Sequence, residues 1–486
     1  MSIPTPDRGE RERRDRPIRR PPQSGRSRGR AGRTAGKAGR TAGKAGRSAG
    51  RAGRGAGRAA RSAAYGAGRA GRIAGQTAIG PARALTAVFR YWAAERATLR
   101  QGMASLSISA IGNIPTGLAL GAMTGRLEAL PGLFILIPAA IGMRGAIFGA
   151  LGSRLGTSMH AGLLRFSSDR RGILMQNIYA ATLLTFATSL FLAVVARAVT
   201  AATGLATISL WDFVVISVIG GVVSSAFVLV VTVWLAWVGS RRGWDLDSVA
   251  APVITFVGDL ITLPALFAAS YLADLPTITL SVGVASALVC ILAGAQAVRT
   301  DRPVARRILR ESALTLALAS VINLLAGTVI EHRIDRFLAF EALLVMLPSF
   351  LENAGALGGI VSSRLASKLH MGAIEPRVLP ERLAALDISL AAPWSLLNFA
   401  LTGISAHLVA VALGFASPGA AHMTGIALLA GAMATAGAAL VAYLVAIATF
   451  RFSLDPDNHG IPAVTSAMDL VGVICVVGAV ALIGVS

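Results

Sequence analysis

Pro138–Gly162 reads PAAIGMRGAIFGALGSRLGTSMHAG, and Pro348–Gly372 reads PSFLENAGALGGIVSSRLASKLHMG. Nine of the 25 aligned positions are identical, among them the triplets Ser153-Arg154-Leu155 and Ser363-Arg364-Leu365 and the histidines His160 and His370. The offset is 210 residues, and it holds on both sides without a gap. Upstream, Asn113 matches Asn323. Downstream, Asp245 and Asp247 match Asp455 and Asp457, Pro252 matches Pro462, Thr255 matches Thr465, and Asp259 matches Asp469. A register kept over about 150 residues means that one folding unit is present twice.

Composition says where that unit lives. The chain is 54% apolar and 14% charged, with a mean hydropathy of +0.65, values that exclude an ordinary soluble domain. Apolar runs long enough for a hydrocarbon core of about 30 Å fall near 102–123, 131–153, 173–197, 212–238, 250–272, 278–298, 312–330, 340–363, 384–412, 421–449 and 461–484. Lipid offers no partners to backbone groups, so these eleven runs should be helices. The expected fold is an all-α polytopic membrane protein.

The sixth run has no repeat counterpart. Five crossings leave the chain on the far side, and a linker helix returns it before the second unit begins. The two five-helix units are therefore expected to be parallel, related by a pseudo-two-fold axis along the membrane normal. The domains expected are a basic tail (1–83), an interfacial helix (84–100), a first repeat (101–272), the linker helix (273–300) and a second repeat (301–486). Loops on the N-terminal side hold 16 Lys/Arg against four (Arg126, Arg197, Arg333, Arg336) on the other. That bias puts the N-terminus in the cytoplasm and the C-terminus outside, in a cell membrane, plasma or inner.

Residues 1–72 carry 21 Lys/Arg against four acids in a Gly/Ala-rich stretch that cannot build a core. Disorder over anionic lipid headgroups is the expectation. Without interleaved aromatic residues a nucleic-acid partner is not indicated. Ala84–Arg100 reads as an amphipathic helix leading to the first crossing. Cys290 and Cys475 lie in apolar runs and have no metal-type or disulfide spacing.

The chemistry is carried by carboxylates. Asp259 and Asp469 each sit inside an apolar helix, where an ionised group needs a partner or a cavity. Parallel repeats can bring them face to face, and two such carboxylates repel each other unless a cation lies between them. Asp245, Asp247, Asp455, Asp457 and Asn458 stand at the mouths of the same helices, where carboxylates attract cations or cap helices. Thr255, Thr465, Arg144, Glu352 and Asn353 complete the pathway candidates. Arg144 and Glu352 break the symmetry and are expected to pair or to act as counter-charges. Arg154, Arg364, His160 and His370 are expected to snorkel, and the glycines of the second helix to permit close packing. Oxygen ligands without clustered His or Cys favour Mg²⁺, with Mn²⁺ or Co²⁺ as alternatives and no organic cofactor.

These motifs resemble the MgtE-type divalent-cation transporter family, in its duplicated solute-carrier-like branch. The likeness rests on P-x-x-x-G-x-(K/R)-G-x(7)-SRL at Pro138–Leu155. It recurs in SRL-x(4)-H at Ser363–His370 and in D-x-D-x(4)-P-x-x-T-x(3)-D at Asp245–Asp259 and Asp455–Asp469. The resemblance implies Mg²⁺ transport between two fused five-helix units, with Asp259 and Asp469 lining the ion site. The fused units would form a pseudo-dimer that requires no further copy. The Asn of the family pattern is Ala146 in one unit and Ala356 in the other. Two other readings predict different behaviour. An intramembrane aspartyl enzyme would have its two aspartates share a proton. A membrane scaffold presenting the basic tail would be indifferent to Asp259.

Overall fold

The computed structural model describes residues 81–167, 169–242, 246–453 and 460–484, with the backbone alone at 81–84, 160, 246–252 and 276. The basic tail, Asp245, Asp455, Asp457 and Asn458 lie outside the described residues, as does the side chain of Asp247. Among the described residues every regular element is a helix. The first half comprises α1 (Pro81–Ala94), α2 (Arg96–Gly112), α3 (Ile114–Gly121), α4 (Thr124–Ala129), α5 (Leu133–His160), α6 (Ile173–Thr203), α7 (Leu210–Arg242) and α8 (Leu246–Ser270). A 3-10 turn, Tyr271–Asp274, leads to α9 (Pro276–Arg299). The second half comprises α10 (Pro303–Glu331), α11 (Ile334–Ala339), α12 (Glu341–His370), α13 (Arg382–Ile388), α14 (Ala391–Ala412), α15 (Ala420–Arg451) and α16 (Ile461–Ile483).

Among the described residues eleven stretches are long and apolar enough to cross a membrane, the number of runs read from the sequence. The first, Arg96–Gly121, joins α2 and α3. Its axis is interrupted at Asn113 because Pro115 has no N–H for the preceding turn. The ninth, Arg382–Ala412, likewise joins α13 and α14. The stretch expected as one interfacial helix is in two pieces, separated at Glu95, and the C-terminal piece belongs to the first crossing. Nor does the second half of α1 merely rest on a lipid surface. The Tyr91 hydroxyl donates to Asp387 at 2.8 Å, and Trp92 Nε1 donates to Ser389 Oγ at 3.0 Å.

Packing repeats at the same offset as the sequence. α8 packs on α5 and α7, and α16 packs on α12 and α15 in the same way. The first crossings behave differently. α10 lies against α5 and α6 of the first half, while α2 and α3 lie against α12 and α14 of the second. Each half therefore receives its first helix from the other. The closest point of this exchange is glycine on carbonyl. A Cβ on Gly117 would overlap the Val345 carbonyl oxygen, and one on Gly327 would stand 2.6 Å from that of Ile135. Gly117 and Gly327 are equivalent positions, as are Ile135 and Val345. Hydrogen bonds follow the exchange: Ser349 Oγ to the Ala110 carbonyl (2.7 Å), Trp394 Nε1 to the Leu99 carbonyl (3.0 Å), and the Val304 N–H to Gln176 Oε1 (3.0 Å).

α9 stands apart from this core. Only 22% of its most apolar stretch is buried, against 67% for α5 and α12. It packs on α6 and α7 and faces outward otherwise, as a linker can.

Candidate functional site

The interior of the molecule is where the exchanged helices meet the last helix of each half. α10 touches both α5 and α16, so Asn323, midway along α10, lies between the two halves. Its amide seats against Gly142 of α5, where a Cβ would collide with Nδ2, and it lies close enough to Asp469 of α16 to favour that carboxylate's charge. Asn323 is 2% exposed, and its Oδ1 has no partner.

Asp259 of α8 is 6% exposed and lies within electrostatic reach of Glu352 and Asp469. Glu352 and Asp469 interact with each other as well. Glu352 and Asp469 are each half-buried. The sequence-derived pair is thus brought together, with Glu352 beside it. Among the described residues no group of three or more His, Cys, Asp or Glu gathers closely enough to hold a metal ion. The arrangement is three carboxylates within electrostatic reach of one another, not a tight cage. Thr255 and Thr465, one turn before the aspartates, pack on Gly145 and Gly355, whose Cβ positions lie 3.6 and 3.7 Å from them.

Arg144 departs from expectation. Among the described residues it makes no ion pair. Its guanidinium turns away from Glu352 into the first half, where Nε donates to Ser224 Oγ at 3.3 Å and Nη1 donates to the Ala140 carbonyl at 3.1 Å. The chain makes room for it with Gly221, beside Ser189. In the second half the equivalent glycine, Gly431, makes room for Phe399, which packs on Phe350 with ring centroids 4.6 Å apart. Arg144 therefore fills a polar version of a volume that is aromatic in the other half. Asn353 also points into its own half, donating to the Ser349 carbonyl at 2.9 Å.

The SRL arginines do not snorkel. Arg154 Nε donates to Asn177 Oδ1 at 2.9 Å, and Arg364 donates to Asp387 through Nε (3.1 Å) and Nη2 (2.6 Å). Asn177 and Asp387 are also 210 residues apart. Lys368 Nζ adds a second ion pair to Asp387 at 2.8 Å. Burial, together with the bond to Asp387, raises the pKa of the Tyr91 phenol, while Lys368 pulls it down.

Sequence reasoning missed the role of Asn323 and the pairing of Asp387. The signal for the first was present in the Asn113/Asn323 match. For the second it was an Asn in one half standing where the other has Asp.

Comparison with known proteins uses the same periodicity. The model of the MgtE family, described as divalent cation transporter, matches residues 137–269 and again 347–479. The chain belongs to the MgtE divalent cation transporter family. Solute carrier family 41 member 3 of Rattus norvegicus is 25% identical over 363 residues, covering 70% of this chain and 77% of the rat protein. The protein of the same name from Mus musculus is 25% identical over 363 residues, covering 70% and 73%. No solved structure matches the chain. As a family member the chain is a multi-pass membrane protein that transports divalent cations. The aspartyl-enzyme and scaffold readings gain no support from these matches.

Proposed function

We propose that this MgtE-family chain carries Mg²⁺ across a cell membrane, along a pathway between its two halves, with Asp259 and Asp469 gripping the ion. The observation that carries the reading is the meeting of these two carboxylates, equivalent in the repeat, from opposite halves of the interior. Mg²⁺ sheds water reluctantly and is commonly held by one or two carboxylates with much of its shell intact. A loose pair of carboxylates suits that habit better than a tight protein cage. Mn²⁺ and Co²⁺ share the preference for oxygen ligands and could follow the same route.

The remaining assignments follow from the same frame. Residues 101–272 and 301–486 form the two transport repeats, with 273–300 linking them. The N-terminus is cytoplasmic and the C-terminus extracytoplasmic, in the plasma or inner membrane. Asp245, Asp247, Asp455, Asp457 and Asn458 raise the local cation concentration at the cytoplasmic mouth. Thr255 and Thr465 line the approach to the aspartates. The basic tail associates with anionic lipid.

The test is Mg²⁺ uptake into liposomes at matched protein density. Asp259→Asn and Asp469→Asn are each expected to lower uptake by about tenfold or more, since each removes charge while keeping shape. The double variant should fall short of the product of the two losses, because both residues serve one ion. Undiminished uptake by the double variant would remove the aspartates from the mechanism.

A further inference from the structure

The two halves differ at the position that touches the exchanged asparagine. In the first half it is Gly142. With no side chain there, Asn323 seats its amide against α5 beside Asp469 and leaves Oδ1 buried without a partner. In the second half the equivalent residue is Glu352. The asparagine equivalent to Asn323 is Asn113, and its amide is turned back onto its own helix, donating to the Ser109 carbonyl at 3.1 Å and to Ser109 Oγ at 3.3 Å. Glu352 accordingly neighbours both Asp259 and Asp469, and Asp469 alone has Asn323 beside it as well.

We propose that Glu352 is a third carboxylate of the ion site, in the slot that Asn323 fills in the other half. The site is then asymmetric: Glu352 acts on both aspartates, and Asn323 braces Asp469 alone. This assignment rests on the transport reading above and deepens it. Three observations support it. Glu352 faces both aspartates electrostatically. It is half-buried rather than sealed in the core. Arg144, its expected partner, is engaged elsewhere, so the charge is not neutralised by an arginine. The unpartnered Oδ1 of Asn323, 2% exposed and beside Asp469, is a hard acceptor for a water of a hydrated cation. Because the carboxylates do not gather around one point, they act on the ion through its water shell. Three such charges then favour a divalent over a monovalent cation by simple Coulomb attraction.

The experiment compares Glu352→Gln and Glu352→Asp in liposomes and, as purified protein, by the Mg²⁺-induced rise in melting temperature, which requires no transport. Glu352→Gln is expected to raise the Mg²⁺ concentration for half-maximal uptake and for half-maximal stabilisation by about tenfold. Glu352→Asp keeps the charge and should shift both by less than about threefold, because outer-sphere attraction tolerates a shorter side chain. Equal behaviour of the Gln and Asp variants, or an unchanged half-saturation in the Gln variant, would overturn the assignment. Loss of uptake in Asp259→Asn/Asp469→Asn with normal Mg²⁺ response in Glu352→Gln would overturn this inference alone. Retained uptake in the double aspartate variant would instead overturn the transport site itself.

Discussion

At the scale of single residues, the exchange between halves depends on two missing side chains. Gly117 and Gly327 let one backbone approach another to a distance no Cβ allows, and the obstacle is a carbonyl, which cannot swing aside as a side-chain tip can. Gly117→Ala should lower stability by about 1–3 kcal/mol, and Gly327→Ala should act in the same direction but less. Gly112→Ala, with open space at its Cβ position, should be neutral or slightly stabilising. Thermal unfolding in detergent reads all three, and an equal response at Gly112 and Gly117 would contradict the close approach. A second contrast lies at the SRL arginines. Asp387→Asn strips one of two anions from Arg364, which keeps Glu95 at 3.3 Å, and the carboxylate partner from Lys368, and should cost about 1–3 kcal/mol. Asn177→Asp gives Arg154 an anion and should be neutral or stabilising by the same assay. The aspartates were legible in the sequence because charge inside an apolar run is conspicuous whatever surrounds it. Arg144 and Arg364 were misread because the direction of a long side chain depends on neighbours from other helices, and neither Gly221 nor Asp387 lies near them in sequence.

At the scale of helices, the sequence shows how many there are and which are equivalent, because apolar length and a constant offset are one-dimensional properties. It does not show that α10 belongs against α5 and α6, or that α2 and α3 belong against α12 and α14. Gly117 and Gly327 keep the offset, but glycines are common in apolar helices and nothing marks these two as contact points. The break at Asn113 was foreshadowed by Pro115 and still escaped an apolar-run reading, since a broken crossing is as apolar as a straight one. The exchange makes a prediction that a side-by-side arrangement does not. Residues 1–300 and 301–486, produced as separate chains, each lack the first helix they normally receive. Each alone should be unstable in the membrane, and coexpression should restore both. Co-purification of the two pieces and recovery of ion flux are the readouts. Stable accumulation of either piece by itself would show that the halves do not depend on each other in this way.

For the whole molecule, the exchange is expected to remove the need for a second copy. In a pair of identical five-helix chains, each would lend its first helix to its partner and each would contribute one last-helix aspartate. Here both loans occur within one chain, and Asp259, Glu352 and Asp469 all come from it. Fusion also permits what identity forbids: Gly142 can differ from Glu352, and Arg144 from Ala354, without every change appearing twice. A single chain should therefore be the transport unit. The measurement is Mg²⁺ uptake by vesicles reconstituted at a mean of less than one chain each. With one chain sufficient, the fraction of vesicles that take up Mg²⁺ should rise linearly with protein at low density. A requirement for two chains would make that fraction rise with the square of the protein added. Uptake should also persist at dilutions where chemical cross-linking no longer captures dimers, because α2, α3 and α10 already pack on the opposite half of the same chain.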